Sequence, residues 1–263
     1  NSFCTLLAMV LLSTFTPQSS QLFSRLAAAG VAARAGPEAG IVVSGQAQSG
    51  KSSLAFQTAV SAACAGHPVA YVCHEDALQS RMPRPQVVLE DLPGDVLSRI
   101  EFQYASSLRD VRQFAAASMH DGSAQVDGDR GTNPMLPAVL IVDDDGLADA
   151  HIRSEISKTL AVLEDAVMWV RGAAKSHGTH DDVGPHTAFF VYVTNQPQPN
   201  AWHDGPPATG PFAQLDLHLI THRDDSPRAC IAVFWTVNPS VPLSGPIASL
   251  NFEIPDEGPV ALR

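Results

Sequence analysis

The segment IVVSGQAQSGKS, residues 41–52, joins three local signals in one place. The β-branched run at residues 41–45 predicts a short buried strand, and residues 52–65 have the composition of a helix. Between them lies a glycine-rich loop with the spacing GxxxxGKS, the Walker A pattern. A strand, such a loop and a helix in this order predict a site that cradles phosphate groups, whereas a chance match in a Gly/Ser turn would lack these flanking elements.

The residue types in this loop fit the chemistry of a nucleotide. Crowded anionic phosphates need backbone N–H groups that point inward, and Gly45 and Gly50 permit the turn that achieves this. Lys51 would reach the β- and γ-phosphates and support catalysis there, and the Ser52 hydroxyl would bind Mg²⁺. The predicted cofactors are therefore ATP and Mg²⁺. The predicted nucleotide contacts are Gly45, Gln46, Ala47, Gln48, Ser49, Gly50, Lys51, Ser52 and Ser53.

A second acidic group is needed to hold the Mg²⁺ and its waters, and a later strand provides one. Residues 138–142 are apolar and lead directly to Asp143, the Walker B pattern of a buried strand that delivers a carboxylate to one edge of the sheet. We favour Asp143 as the magnesium residue because it directly ends the apolar run. Asp144 and Asp145 follow at once, so the register stays open, with turn formation before Gly146 as the alternative role for those two.

Hydrolysis of ATP also needs a group that orients or deprotonates a water molecule. Glu75 lies just beyond residues 69–73, which predict the second strand. If this strand neighbours the Walker A strand, the Glu75 carboxylate would project beside the γ-phosphate and act as the catalytic base. The alternative is a solvated loop acid with no catalytic role.

A polar tip follows the apolar strand predicted at residues 187–194. Gln196 is predicted to contact the nucleotide, because an amide at a strand end can sense the γ-phosphate, although Asn and Gln also simply end strands. The next loop is rich in Pro, Gly and Asn, and it contains Asn200 and Trp202. We expect these two residues to contact single-stranded DNA, with Trp202 stacking on a base. Packing of Trp202 back on the domain is the alternative.

The rest of the chain alternates strand-like and helix-like segments. This alternation predicts an α/β fold with a mostly parallel central sheet that is flanked by helices on both faces. Strand-like runs within residues 215–254 would extend the sheet at one edge. We divide the chain into an N-terminal extension, residues 1–39, and one ATPase domain, residues 40–263. The other predicted elements are a strand at residues 99–104 and helices at residues 108–119 and 152–174.

Charge and hydropathy limit the partners. The 263 residues include 16 basic and 27 acidic ones, a net charge of −11, whereas a domain that binds nucleic acid by itself usually has a basic surface. We therefore expect weak DNA binding by this chain alone.

The apolar run at residues 3–15 is similar to a secretory segment but lacks a basic start, so we favour a buried helix or strand there. Because the run is too short to cross a bilayer, we expect no membrane partner.

The motifs GQAQSGKS, YVCHE, LIVD and VYVTNQ occur in this order and resemble those of the RecA-like recombinase core. In that family the strand-end glutamate is catalytic, the last aspartate belongs to Walker B, and the TNQ strand leads into a DNA-binding loop. The tail at residues 228–258 resembles the C-terminal hairpin of eukaryotic recombinases. The resemblance covers residues 40–263 and implies a RecA-like P-loop ATPase core with a C-terminal β-hairpin extension.

Two further segments narrow the resemblance. LQSRMPRP, residues 78–85, and RIEFQYASSLRDVRQF, residues 99–114, are similar to the small RecA-like ATPases that partner SWIM-type zinc-finger proteins in homologous recombination. This resemblance implies a SWIM-type zinc-finger partner, support of the main recombinase filament on single-stranded DNA, and a nuclear location. Residues 146–152, where the first DNA loop of a full recombinase would lie, form a short stretch, which disfavours independent filament formation.

Two other functions stay open. A pseudo-enzyme scaffold would bind nucleotide for stability and mainly present a surface to its partner. A metabolic P-loop kinase would share the Walker A loop, but the sequence has no visible arginine-rich lid and such a kinase would not explain the TNQ strand.

Overall fold

The computed structural model describes residues 40–45, 50–80, 83, 92–121, 137–176, 188–195, 213–220, 228–235, 248–254 and 261–262. The predicted N-terminal extension, residues 1–39, lies outside these ranges. Within them, no helix has both the length and the apolar character that crossing a membrane requires.

Strands and helices alternate along the chain, as the sequence predicts. The first half of the domain contains β1 (Gly40–Gly45), α1 (Lys51–Cys64), β2 (Val69–Cys73), α2 (Glu75–Ser80), α3 (Gly94–Leu97), β3 (Ile100–Tyr104) and α4 (Leu108–Asp121). The second half contains β4 (Val139–Asp143), α5 (Arg153–Ser176), β5 (Phe189–Thr194), β6 (Ala213–Ile220), β7 (Arg228–Trp235), β8 (Ala248–Ile254) and β9 (Ala261–Leu262).

The strands form one nine-stranded sheet in the order β3-β2-β4-β5-β1-β6-β7-β8-β9. The six strands from β3 to β6 run parallel to their neighbours. Beyond them, β7, β8 and β9 continue the sheet in antiparallel pairs. The predicted α/β class, with a mostly parallel central sheet and flanking helices, is therefore confirmed.

Helices cover both faces of the parallel strands. On one face, Phe56 of α1 packs edge-on against Tyr71 of β2, with ring centroids 5.8 Å apart. On the other face, α4 and α5 share a buried cluster with the strands. Because successive side chains of a strand point to opposite faces, this double cover explains why these strands are almost continuously apolar. Members of the second cluster include Val42, Val72, Leu108, Val111, Val142, Leu160, Leu163 and Phe190.

The observed elements differ from the predicted ones in three ways. Strand β9 (Ala261–Leu262) lies beyond residues 215–254, the range of the predicted strand-like runs. Helices α2 and α3 have 6 and 4 residues, too few periodic positions to be predicted from the spacing of apolar residues. Helix α1 begins at Lys51 rather than at Ser52, because Gly50 serves as its N-cap. The other boundaries lie within one or two residues of those predicted, which is the usual uncertainty of helix and strand ends.

The close approach of Gly40 to Phe190 allows a test of the sheet packing. The two residues pair across β1 and β5, and a Cβ atom added to Gly40 would lie 2.5 Å from atoms of the fully buried Phe190 ring. Gly40→Ala should therefore overpack the core and lower the free energy of unfolding by about 1–3 kcal/mol, measured by urea denaturation.

Gly172 of α5 provides the matched control for this substitution. A Cβ atom there would meet nothing within 4 Å, and alanine is favoured over glycine in a helix interior. Gly172→Ala should therefore raise the free energy of unfolding by about 0.5–1 kcal/mol. Wild-type stability of Gly40→Ala would contradict the pairing of Gly40 with Phe190.

Candidate nucleotide-binding site

The predicted phosphate loop joins β1 to the amino end of α1. β1 ends at the buried Gly45, and Gly50 has a φ of 83°, in the left-handed region that favours glycine. Among the described residues, no side chain caps the start of α1. The amino end of a 14-residue helix thus follows the loop directly, an arrangement that suits an anionic phosphate group.

Three predicted residues open this helix. Lys51 is only 4% exposed, although lysine is among the residue types least often buried. Ser52 and Ser53 follow and are partly buried. The sequence GKS therefore places its cation and its first hydroxyl inside the fold rather than on an open surface.

Asp143, the last residue of β4, meets this helix start. Its carboxylate accepts a hydrogen bond from the Ser52 side chain. The Tyr71 hydroxyl donates to Asp143 Oδ2 at 3.3 Å, and the backbone N–H of Asp145 donates to Asp143 Oδ1 at 3.4 Å. Of the three consecutive aspartates, Asp143 is the one with a Ser52 contact, and its role as the magnesium residue stays a prediction.

Burial controls the protonation of the groups around Asp143. Desolvation raises the pKa of Asp143, and the hydrogen bonds from Ser52, the backbone of Asp145 and Tyr71 oppose this shift. Burial also raises the pKa of Cys73 to about 12, and the charge of Asp143 adds to that effect. A carboxylate held in such surroundings favours a cation or a proton as a neighbour, as expected of a metal-binding residue.

Asp144 makes its contacts with β5 instead. Tyr192 donates its hydroxyl to Asp144 Oδ2 at 3.0 Å, and the backbone N–H of Asn195 donates to Oδ1 at 3.3 Å. The Thr194 side chain also hydrogen-bonds to this carboxylate, although burial raises the pKa of Asp144 to about 7. Asp144 is 3% exposed, so its role in the structure is to hold the end of β5 against β4.

Asp145 completes this connection. The Asn195 side-chain amide donates to Asp145 Oδ1 at 2.7 Å. Asn195 is thus bonded through its backbone to Asp144 and through its side chain to Asp145. Two consecutive carboxylates therefore fix the polar tip that the sequence places at the end of β5.

The structure corrects one premise about Glu75. β2 does not neighbour β1, because β4 and β5 lie between them in the sheet. Strand neighbours are set by long-range packing, which the order of segments along the chain does not reveal. Glu75 begins α2, is exposed, and accepts a hydrogen bond from Gln79 Nε2 at 3.0 Å. Its catalytic role stays a prediction.

Several predicted site residues lie outside the described part of the chain, namely Gln46, Ala47, Gln48, Ser49, Gln196, Asn200 and Trp202. Conversely, sequence reasoning missed the buried contacts of Tyr71 and Tyr192. A tyrosine in a strand covered on both faces needs a partner for its hydroxyl, so these two residues carried a signal that a polar group lay nearby.

Ser52 and Asp143 fit a magnesium ion. Mg²⁺ prefers oxygen ligands, keeps several waters, and is usually held by one or two carboxylates together with the phosphates of a substrate. A hydroxyl and a carboxylate in mutual contact at the phosphate loop match this donor set. No cluster of three or more His, Cys, Asp or Glu residues suited to a metal occurs among the described residues. A P-loop magnesium site needs no such cluster, because nucleotide and water supply the remaining ligands.

The fold defines the chain as an α/β protein in which the GxxxxGKS sequence runs from the end of strand β1 to the start of helix α1. No protein-family model matches the sequence, and no curated protein matches it. Among solved structures, the crystal structure of the RadB recombinase is similar at 18% sequence identity, with a TM-score of 0.46, over 85% of this chain and 90% of that chain. We therefore base the function on the residues and contacts of this chain itself.

The bond between Asn195 and Asp145 can be tested by exchanging the two side chains. Asn195→Asp alone would place a second carboxylate at the 2.7 Å contact, so it should destabilise the fold by about 1–3 kcal/mol. Asp145→Asn combined with Asn195→Asp restores one donor and one acceptor and keeps the total charge. The double variant should therefore recover most of the lost stability in urea denaturation.

Asp145→Asn alone serves as the control for this exchange, since its Oδ1 can still accept from Asn195. We expect a change within about 0.5 kcal/mol for this variant. If the double variant is as unstable as Asn195→Asp, the contact does not hold the two strands together.

Proposed function

We propose that this chain binds ATP with Mg²⁺ at the carboxyl edge of its parallel strands. One observation supports this above all: Ser52, which closes the GxxxxGKS loop, donates a hydrogen bond to Asp143 at the end of β4. The two residues come from separate parts of the sequence, and both are of the types that hold Mg²⁺ in P-loop proteins. Their contact favours a nucleotide site over a chance match to the Walker A pattern.

Each group at this edge would have a defined task. Lys51 would place its positive charge opposite the β- and γ-phosphates, and the amino end of α1 would offer backbone N–H groups to them. When bound, Mg²⁺ would supply positive charge to offset the negative charge of the phosphates. Ser52 and Asp143 would hold this ion or its waters at the loop.

Whether ATP is hydrolysed depends on a group that activates water. We propose Glu75 for this role, since it directly follows His74 at the carboxyl end of β2.

A second candidate function, a nucleotide-binding scaffold with little turnover, is favoured by one observation. Glu75 is exposed and begins α2, just after β2, a strand that two others separate from β1. An acid in that place would need to move, or to receive help from a partner, to reach a γ-phosphate.

Within the P-loop class, we propose an accessory RecA-like ATPase of homologous recombination. The order of the four motifs from residue 45 to residue 196 supports this. So does the position of β5, which lies between β1 and β4 and therefore ends beside both Walker segments. In the RecA-like family this strand leads into a DNA-binding loop, so we propose Asn200 and Trp202 as weak contacts for single-stranded DNA.

The proposed partners rest on the charge of the chain and on its resemblance to small RecA-like ATPases that act with SWIM-type zinc-finger proteins. Ala148 donates its backbone N–H to the Ser106 carbonyl at 3.0 Å, and Asp149 accepts from the N–H of Leu108 at 2.5 Å. These bonds tie the segment after β4 to the start of α4, which supports placing the DNA contact after β5. With a net charge of −11, the chain would bind DNA jointly with a SWIM-type zinc-finger protein. We propose that this pair supports the recombinase filament in the nucleus.

Replacing Lys51 tests nucleotide binding. Lys51→Ala removes the cation opposite the phosphates, a charge-assisted contact of about 1.5–3 kcal/mol, so the affinity for a fluorescent ATP analogue should fall about tenfold or more. The measurement is fluorescence anisotropy with Mg²⁺ and again with EDTA, and the wild-type affinity should also fall when the metal is removed.

Lys158→Ala is the matched control, because Lys158 lies on α5, is 63% exposed and pairs with Glu155. This variant should bind the analogue as the wild type does. Melting curves of both variants separate a loss of binding from a loss of folding. A folded Lys51→Ala chain with wild-type affinity would contradict the nucleotide site.

Replacing Glu75 separates the enzyme from the scaffold. Glu75→Gln keeps the shape of the side chain and its capacity to bond Gln79, but an amide cannot act as a base. If Glu75 is catalytic, phosphate release should fall about a hundredfold or more while the affinity for ATP stays unchanged. Equal turnover would exclude Glu75 as the base. No turnover in either protein, with intact binding, would favour the scaffold.

A further inference from the structure

Two buried tyrosines flank the aspartates at the end of β4. Tyr71 lies on β2 and Tyr192 on β5, the two strands that pair with β4. Tyr71 donates its hydroxyl to Asp143, and Tyr192 donates its hydroxyl to Asp144. The same chemical group therefore serves two neighbouring carboxylates, of which Asp143 also contacts Ser52 and Asp144 contacts the end of β5.

The Tyr71 ring has little freedom to move. It is fully buried, and it packs edge-on against Phe56 of α1 at an interplanar angle of 81°. Phe102 of β3 lies against it from another side, with ring centroids 5.5 Å apart. Because these contacts fix the ring, they also fix the place of the hydroxyl at its end. The phosphate-loop helix thus contributes, through Phe56, to the position of a group that bonds Asp143.

The two oxygens of Asp143 have different donors. Oδ2 accepts from Tyr71 at 3.3 Å, and Oδ1 accepts from the backbone N–H of Asp145 at 3.4 Å. Loss of the Tyr71 hydroxyl would leave a 7% exposed carboxylate with one donor fewer, held by Ser52 and the backbone of Asp145 and therefore less firmly oriented. Groups that orient a metal-binding residue in this way typically affect metal affinity about 10- to 100-fold.

We propose that Tyr71 is a positioning residue that orients the Asp143 carboxylate for the Mg²⁺ of a bound nucleotide. This inference rests on the proposed function, since it assumes a magnesium ion beside Ser52 and Asp143. Tyr71 itself touches neither the ion nor the nucleotide. Its effect passes through Asp143, so it should change the response to Mg²⁺ and leave metal-independent binding of the nucleotide as it is.

The chain offers a closely matched control for this idea. Tyr71→Phe and Tyr192→Phe each remove one hydroxyl from a fully buried tyrosine on a strand that pairs with β4. Each leaves one buried aspartate without that donor. The two variants differ in which aspartate is affected, so an effect of general destabilisation should appear in both.

The experiment titrates Mg²⁺ into each protein with a fluorescent ATP analogue at fixed concentration. We expect Tyr71→Phe to raise the Mg²⁺ concentration at half-maximal binding about tenfold. Tyr192→Phe should keep the wild-type midpoint, and binding of the analogue in EDTA should be the same in all three proteins. Melting curves, together with circular dichroism, establish that both variants are folded.

The outcomes separate this inference from the proposed function. The positioning role is overturned if Tyr71→Phe has the wild-type Mg²⁺ concentration at half-maximal binding, or if Tyr192→Phe shifts that concentration equally. It is also overturned if Tyr71→Phe weakens binding of the analogue as much in EDTA as in Mg²⁺. If the wild-type chain binds the analogue without any dependence on Mg²⁺, the proposed magnesium site is wrong, and the role of Tyr71 is overturned with it.

Discussion

The buried carboxylate of Asp143 is the constraint on which the rest of the site depends. Removing a carboxylate from water is costly unless hydrogen-bond donors or a cation replace the lost solvation. Asp143 is 7% exposed, and its donors come from the phosphate-loop helix, from β2 and from the turn after β4. Its burial therefore requires these three segments to meet at one point. The aromatic contacts of Phe56, Tyr71 and Phe102 fill the space beneath that point and hold α1 on the sheet.

Two adjacent acids at the end of β4 make contacts on two different sides of the sheet. Asp143, the last residue of β4, bonds Ser52 of α1, whereas Asp144, directly after the strand, bonds Tyr192 of the cluster under α4 and α5. Because β5 lies between β4 and β1, the groups held by Asp144 and Asp145 end beside the phosphate-loop strand. Hydrogen bonds at this edge of the sheet thus join the start of α1, the end of β4 and the tip of β5.

The sequence predicts the local elements well because their signals are local. The apolar run of β2 and the amphipathic spacing of α5 each lie within one strand or one helix, and the observed bounds agree with the predicted ones within two residues. The neighbours of β2 could not be predicted in the same way. Strand pairing depends on how distant faces pack, so the strand before Glu75 was predicted correctly, whereas the condition that this strand neighbours β1 is not met. Likewise, the bonds of Tyr71 and Tyr192 to aspartates join residues 72 and 48 positions apart, and a tyrosine in an apolar run does not name its partner.

Burial of adjacent acids also links stability to ligand binding. Desolvation raises the pKa of both Asp143 and Asp144. The charge of Asp145 raises the pKa of Asp143 further, and the charge of Asp143 raises the pKa of Asp144 further. In the absence of a cation, the fold therefore holds negative charge where it is poorly solvated. Under the proposed function, Mg²⁺ bound with ATP would offset this charge in the folded chain and find no such site in the unfolded one. Ligand that binds only the folded state stabilises it in proportion to the logarithm of its concentration. A scaffold that holds nucleotide without turnover would thus gain stability from the same contacts that an enzyme would use for catalysis. For this reason, the contact of Ser52 with Asp143 supports nucleotide binding more strongly than it supports hydrolysis.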